Sequence, residues 1–484
     1  MTEKCPGNPP FRIAVHYTGA VTFRDENSAR VSMIDRDGSE PALPGGKPRR
    51  SKHRRWRIAA IITVLPLLAF AGVYIVACWR AQKLLDREID RIAARGEPVW
   101  FADLTPAADG AALVRGRAIA AILEAISEVP FPPEPDGGRT SPSDNREEIR
   151  KAVEANRPKC RELASLARGG ECRFEYDFQT VVPADTFLPE VDNLNNVHRS
   201  LSFDAEQALE LADYRRAVEI IVDTLDIAEI LHSEPFCVSQ LVRIRVAGHG
   251  LDNLQTVLGR TTLNQAEHEQ IDSRLKTMES RYRLVGTMHA ERAGILTMLD
   301  NLGRPEMGEL LESMEYLNNG SHVVPDAYLK NRWWGSWLYR PRRLYGEAVM
   351  LQAMSRFAEL VDEQGPKAAA ELAAADAHFR AQAREMPACA IFLPDPNEIR
   401  MSGLAHRQRL LAARLALAVC GYRAEYGELP RALAEVPVPP DIDLTGLISG
   451  GPLVYEQQAA SFAIFDETTE RGFTVTFDTA QADR

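Results

Sequence analysis

The chain has 484 residues, with 57 Lys+Arg against 68 Asp+Glu and a net charge of −11. Its 45% apolar content can fill a sizeable core, which excludes global disorder, and seven cysteines are too few for a disulfide-framework miniprotein. The acidic balance argues against nucleic acid as a partner, and no Gly-X-Y period, heptad array or polar tract points to a fibrous class.

Charge is unevenly spread. Residues 1–57 hold 12 basic and 6 acidic side chains, a net of +6, which leaves 45 and 62, a net of −17, for the rest. The segment 1–57 contains NPP, DENS and DRDGSEPALPGG with no sustained periodicity, and reads as a disordered arm ending in the basic run SKHRRWR. Residues 58–79, IAAIITVLPLLAFAGVYIVACW, carry no charge. As a helix they would extend about 33 Å, enough to cross a hydrocarbon core of about 30 Å. Trp56, Tyr74 and Trp79 flank the run, as interfacial aromatics do. Seven basic residues precede it within fifteen positions and four follow, so the N-terminus is expected in the cytoplasm and the bulk of the chain outside it, anchored in the cytoplasmic (inner) membrane. Ile75-Val76-Ala77-Cys78 also resembles a lipoprotein processing box, so retention and processing of 58–79 both stay open.

Beyond the span, 80–398 reads as a mainly α-helical extracytoplasmic domain. Residues 81–95 continue the helix outward to Gly96, 111–127 form an Ala-rich helix, and 129–144 (VPFPPEPDGGRTSPSD) form a loop. Asp144 caps a helix running to about Arg168. Leu201, Ala205, Ala208 and Ala212 line one helix face, and Val218, Ile221, Leu225, Ala228 and Leu231 line the next. A turn at Ser233-Glu234-Pro235 leads into a helix over 238–258. Helices follow at 264–300, 306–318, 341–364, 366–385 and 400–426. Such hairpins suit a concave or grooved interaction face. Residues 399–484 read as a small α+β module: one helix, a Pro-rich break, then three period-two segments at 452–456, 461–467 and 472–478 that predict a three-stranded antiparallel meander.

Motifs for chemistry are sparse. His268 sits in EHEQ and not in H-E-x-x-H; no P-loop, G-x-G-x-x-G or G-x-S-x-G occurs, so no metal or cofactor is expected. Asp441, Asp443 and Gly446 begin like a calcium loop, but the twelfth position is Pro452. Cys160 and Cys172 are spaced to form a disulfide in an oxidising compartment. The densest aromatic–basic cluster is NRWWGSWLYRPRRLYGE: Trp333, Trp334, Trp337, Tyr339 and Tyr345 alternate with Arg332, Arg340, Arg342 and Arg343. It suits stacking on sugars, nucleobases or a partner's hot spot, and equally a helix start docked on the core or on the membrane surface.

The stretches ARGEPVWFADLTP (94–106), CRFEYDF (172–178), ADYRRAVEIIVDTLDIAEILHSEP (212–235), LVRIRVAGHGLDNL (241–254), ERAGI (291–295) and ARLALAVCGYRAEYGELPRALAEV (413–436) resemble an uncharacterised family of membrane-anchored proteins of planctomycete-type bacteria. The last stretch is also similar to the C-terminal part of the major pseudopilin of type II secretion, through Tyr422, Arg423, Gly427, Pro430 and Leu433. That resemblance implies a helix, a turn and a small sheet. The pseudopilin calcium site does not carry over, because DIDLTGLISGGPLVY stands where its Asp-Pro-Phe-type segment would be. The expected function is a non-enzymatic envelope scaffold with a protein partner. The alternatives are a component of a secretion or pilus-like apparatus, and an envelope hydrolase acting on peptide or glycan.

Overall fold

The computed structural model describes residues 50–105, 110–129, 146–180, 188–301, 334–383, 395–458, 460–468 and 472–477, with side chains from Ile61 onward except at 189, 192, 195, 334–339 and 383. Residues 1–49 of the expected arm, 130–144 of the expected loop and the expected helix at 306–318 lie outside the described residues; residues 50–57, expected in the arm, instead form the first turns of a helix. Contacts divide the chain into Met1–Leu67 and Leu68–Arg484, and the buried core belongs to the second unit.

The described fold is mainly α-helical, with one apolar helix near the N-terminus long enough to cross a membrane and a three-stranded sheet near the C-terminus. Helix α1 spans Arg50–Ala94 without a break, Pro66 included. Ile61, Leu65, Leu68, Phe70, Val73, Ile75 and Val76 are all exposed along it. Past Trp79 its character changes: Ala81, Leu85, Glu88 and Ile92 are buried, and their spacing of three to four residues places them on one face. Gly96, at φ 70°, then ends the helix.

Helices α2 (Gly110–Ser127), α3 (Arg146–Arg168), α4 (Pro189–Glu210), α5 (Tyr214–Ala228) and α6 (Cys237–Arg260) follow. The Asp213 carboxylate accepts from Arg216 N–H at 3.2 Å and caps α5. Ala212, expected on the face of α4, lies beyond its end at φ 53° in the turn to α5. The expected helix 264–300 is two helices, α7 (Gln265–Arg281) and α8 (Val285–Asp300). Between them Tyr282 and Leu284 turn inward, and Asp362 accepts from Leu284 N–H at 3.0 Å and Val285 N–H at 3.2 Å. That remote carboxylate satisfies the first orphan donors of α8, which no local residue signals. Helix α9 (Trp334–Leu360) begins before the expected 341 and carries Pro341 inside it; α10 (Gly365–Ala383) and α11 (Pro396–Tyr426) complete the helices.

Strands β1 (Val454–Gln458), β2 (Ser461–Phe465) and β3 (Phe473–Thr476) pair antiparallel in that order, with Tyr455 opposite Ile464 and Phe462 opposite Val475. Alternation buries Phe462, Ile464, Phe473 and Val475. Gly427 ends α11 in the left-handed region at φ 76°. A Cβ on Gly259 would overlap the Thr476 carbonyl, so the bare glycine lets β3 lie directly on α6.

The buried residues form two cores. One joins α2–α7, α11 and the sheet; the other joins the C-terminal part of α1, from Ala81 on, with α8, α9 and α10. Helix α11 and the sheet share the first core with α2–α7, so the expected boundary at 398/399 does not separate two hydrophobic cores. Cys160 and Cys172 also belong to the first core, as free thiols. Cys172 Sγ donates to the Ile230 carbonyl at 3.1 Å, so the disulfide that their spacing permits is not formed.

Candidate functional site

The aromatic–basic segment meets the base of the apolar helix. Trp333 lies outside the described residues, as do the side chains of Trp334, Trp337 and Tyr339. Arg340, Arg342 and Arg343 are placed by the first turns of α9, which run beside residues 74–87 of α1. On one side, Arg340 and Leu344 close a hollow of about 370 Å³ against Tyr74, Cys78, Trp79 and Gln82. On the other, Pro341, Arg342 and Tyr345 face Trp79, Arg80, Lys83, Leu84 and Arg87 across a cleft of about 910 Å³, whose third wall is His378 and Gln382 of α10.

The cleft is cationic and amphipathic. Arg80, Lys83, Arg87 and Arg342 line it, no acidic side chain does, and none of the four has a carboxylate partner among the described residues. Lys83 Nζ lies 4.2 Å from the centre of the Trp79 ring. Trp79 and Tyr345 remain about half exposed, at 57% and 46%. Arg343 turns away, with Nε 3.2 Å from Glu347 Oε1. Burial pushes the Glu347 carboxyl up to about 7, and Arg343 holds it partly down. Of the nine residues singled out from the sequence, Arg342 and Tyr345 line the cleft, Arg340 the hollow, and Arg343 braces α9, while Arg332 lies outside the described residues. His378 and Gln382 carried no motif; only the packing of α10 brings them in.

A second cluster stayed hidden in the sequence. Glu234, in the turn before α6, is 4% exposed and its carboxyl is pushed up to about 7 by burial. Nearby Glu190 raises it further, while Phe174 N–H, the Tyr176 hydroxyl and Arg173 pull it partly back. Glu190 is itself raised by burial, and an Oε2 of each carboxyl is buried without a hydrogen-bond partner among the described residues. Around them Tyr176 packs edge-on against Phe178 and Phe236, at ring separations of 6.0 and 5.3 Å. Ser-Glu-Pro signals a turn; nothing local signals that its carboxyl is buried.

Asp441 of the calcium-like loop is committed elsewhere, to Arg414 at 2.9 Å and Lys276 at 3.1 Å. Among the described residues, no group of three or more His, Cys, Asp and Glu is placed to hold a metal. No family model, curated protein or solved structure matches the chain.

Proposed function

We propose that the chain is a membrane-anchored, non-enzymatic scaffold, held by one span with its N-terminus in the cytoplasm. Its helical unit would sit against the outer face of the inner membrane and engage a protein partner there. One observation supports this most directly: the exposed apolar stretch of α1 passes without interruption into a face buried by α8 and α9. A soluble protein would cover such a stretch, and a flexible tether would break the helix. The cationic cleft at the point of emergence fits the same picture, since basic and aromatic side chains partition to the headgroup layer.

The test is fractionation of cells making the tagged protein, then crosslinking and mass spectrometry of what co-purifies. The full chain is expected to resist carbonate extraction and to carry envelope proteins with it. Secretion-apparatus subunits among them would support the apparatus reading, which the pseudopilin-like helix, turn and sheet favour. Release of the full chain by carbonate would overturn the anchor, and an empty crosslinking profile the scaffold.

A hydrolase reading would rest on the neighbouring Glu190 and Glu234 carboxyls: both are raised by burial, which suits one as a general acid, and the other would have to ionise as the base. Glycan or peptide cleavage by the purified full chain, lost in Glu234→Gln, would favour it.

A further inference from the structure

We propose that the cleft between α1, α9 and α10 is a binding site for the headgroup of an anionic phospholipid. This deepens the membrane-anchored reading and rests on it. Three observations converge. First, Arg80, Lys83, Arg87 and Arg342 point their charge into one cavity with no acidic residue in its wall, so a phosphate would be their counter-charge. Second, apart from His378 and Gln382 the rest of the wall is apolar and aromatic, with Trp79, Leu84 and Tyr345 offering surface to a glycerol backbone and upper acyl carbons. Third, the cleft lies where the exposed apolar stretch of α1 ends: Ala77 and Trp79 line it, and Trp79 is 57% exposed. Acyl chains lying along α1 would bring their phosphate to the height of Arg80 and Arg342.

Basic residues beside any span reach for headgroups. The added feature here is enclosure by a third helix: Arg342 comes from α9 and His378 from α10, neither contiguous with the span. A cavity of about 910 Å³ lies within the range of pockets that hold small ligands. Inorganic phosphate shares the charge chemistry but would leave the aromatic wall unused.

The experiment uses full-length protein in neutral detergent, titrated with phosphatidylglycerol or phosphatidylcholine and read by native mass spectrometry. Phosphatidylglycerol should be retained in preference to phosphatidylcholine, and excess inorganic phosphate should not displace it. Each basic residue near an anionic surface contributes about a factor of five, so R80Q/K83Q/R342Q should lose on the order of 100-fold in apparent affinity. Lys367→Gln, an exposed charge at the start of α10, should lose none. Should the triple variant not accumulate, Arg342→Gln alone should lose about fivefold. Equal retention of the two lipids, full displacement by phosphate, or equal loss in Lys367→Gln would each overturn the proposal while leaving the anchor standing. Protein that stays monodisperse without detergent would instead sink the anchor reading itself.

Discussion

Gln352 Nε2 of α9 donates to Glu88 Oε1 of α1 at 2.9 Å, and the other oxygen of Glu88 meets Arg91 Nη1 at 2.7 Å. A carboxylate only 4% exposed is thus fully engaged in the seam where the apolar helix joins the folded unit. Above and below it, Leu85 and Ile92 enter the second core.

Truncating that seam should therefore loosen the apolar helix from its unit. Leu85→Ala is expected to cost about 2–5 kcal/mol, as large-to-small changes in cores do. Glu88→Ala should cost less, about 1–3 kcal/mol, by stranding Gln352. Urea unfolding of the full chain in micelles measures both, and limited proteolysis should show cleavage near Gly96 rising in step.

Arg414, 2% exposed, binds Asp272 at 2.8 Å, Glu279 at 3.1 Å and Asp441 at 2.9 Å, joining α7, α11 and the loop before the sheet. Arg414→Met would leave three carboxylates without their shared cation. The expected loss is about 3–5 kcal/mol, read as a lowered thermal midpoint. Restoring the charge as Arg414→Lys should recover only part of it, because one ammonium cannot reproduce the planar fork.

Burial raises the Glu234 carboxyl from its ordinary 4.5 to about 7. A raised carboxyl adds stability below about pH 4.5 and loses it as pH climbs through about 7. The full chain should therefore be more stable near pH 5.5 than near pH 8 from this group. Glu234→Gln should flatten that slope and raise stability near pH 8 by up to about 3 kcal/mol, at 1.36 kcal/mol per pKa unit. A steeper slope in the variant would exclude Glu234 as its source.

Burial also pushes the thiols of Cys160 and Cys172 up to about 12. Both should resist alkylation in the native state near pH 8 and react only on unfolding. Mass spectrometry after iodoacetamide with and without urea tests this.

The glycines near the ends of α6 and α11 should respond differently. Gly427→Ala meets open space and only backbone strain at φ 76°, about 1–2 kcal/mol. Gly259→Ala drives a methyl into the Thr476 carbonyl, so β3 must move, which costs about 1–3 kcal/mol and shifts the sheet's amide resonances.

Much of this architecture was legible because local signals agree with the fold. The uncharged run, Gly427 and the alternation through Phe462 and Ile464 each specify their element from a few neighbours. The break at Tyr282–Leu284 was not legible, because its cap is Asp362, nearly eighty residues on. The same holds for the candidate site. Arg342 stands out beside its aromatic neighbours, but its convergence with Lys83 and His378 comes from the packing of three helices remote in sequence. Glu234 gives no sign of burial at all, since depth is a property of the closed core and not of a tripeptide.

The uninterrupted course of α1 from Leu68 to Ala94 has a mechanical consequence. With no swivel between the exposed apolar residues and the buried face, any tilt or rotation of the helix in a bilayer would become a tilt or rotation of the whole helical unit. A span that is long for its bilayer tilts to fit, and a thinner membrane would increase that lean. Bilayer thickness would then set the angle at which the unit meets the lipid surface, and a partner bound to its outer hairpins would be aimed accordingly.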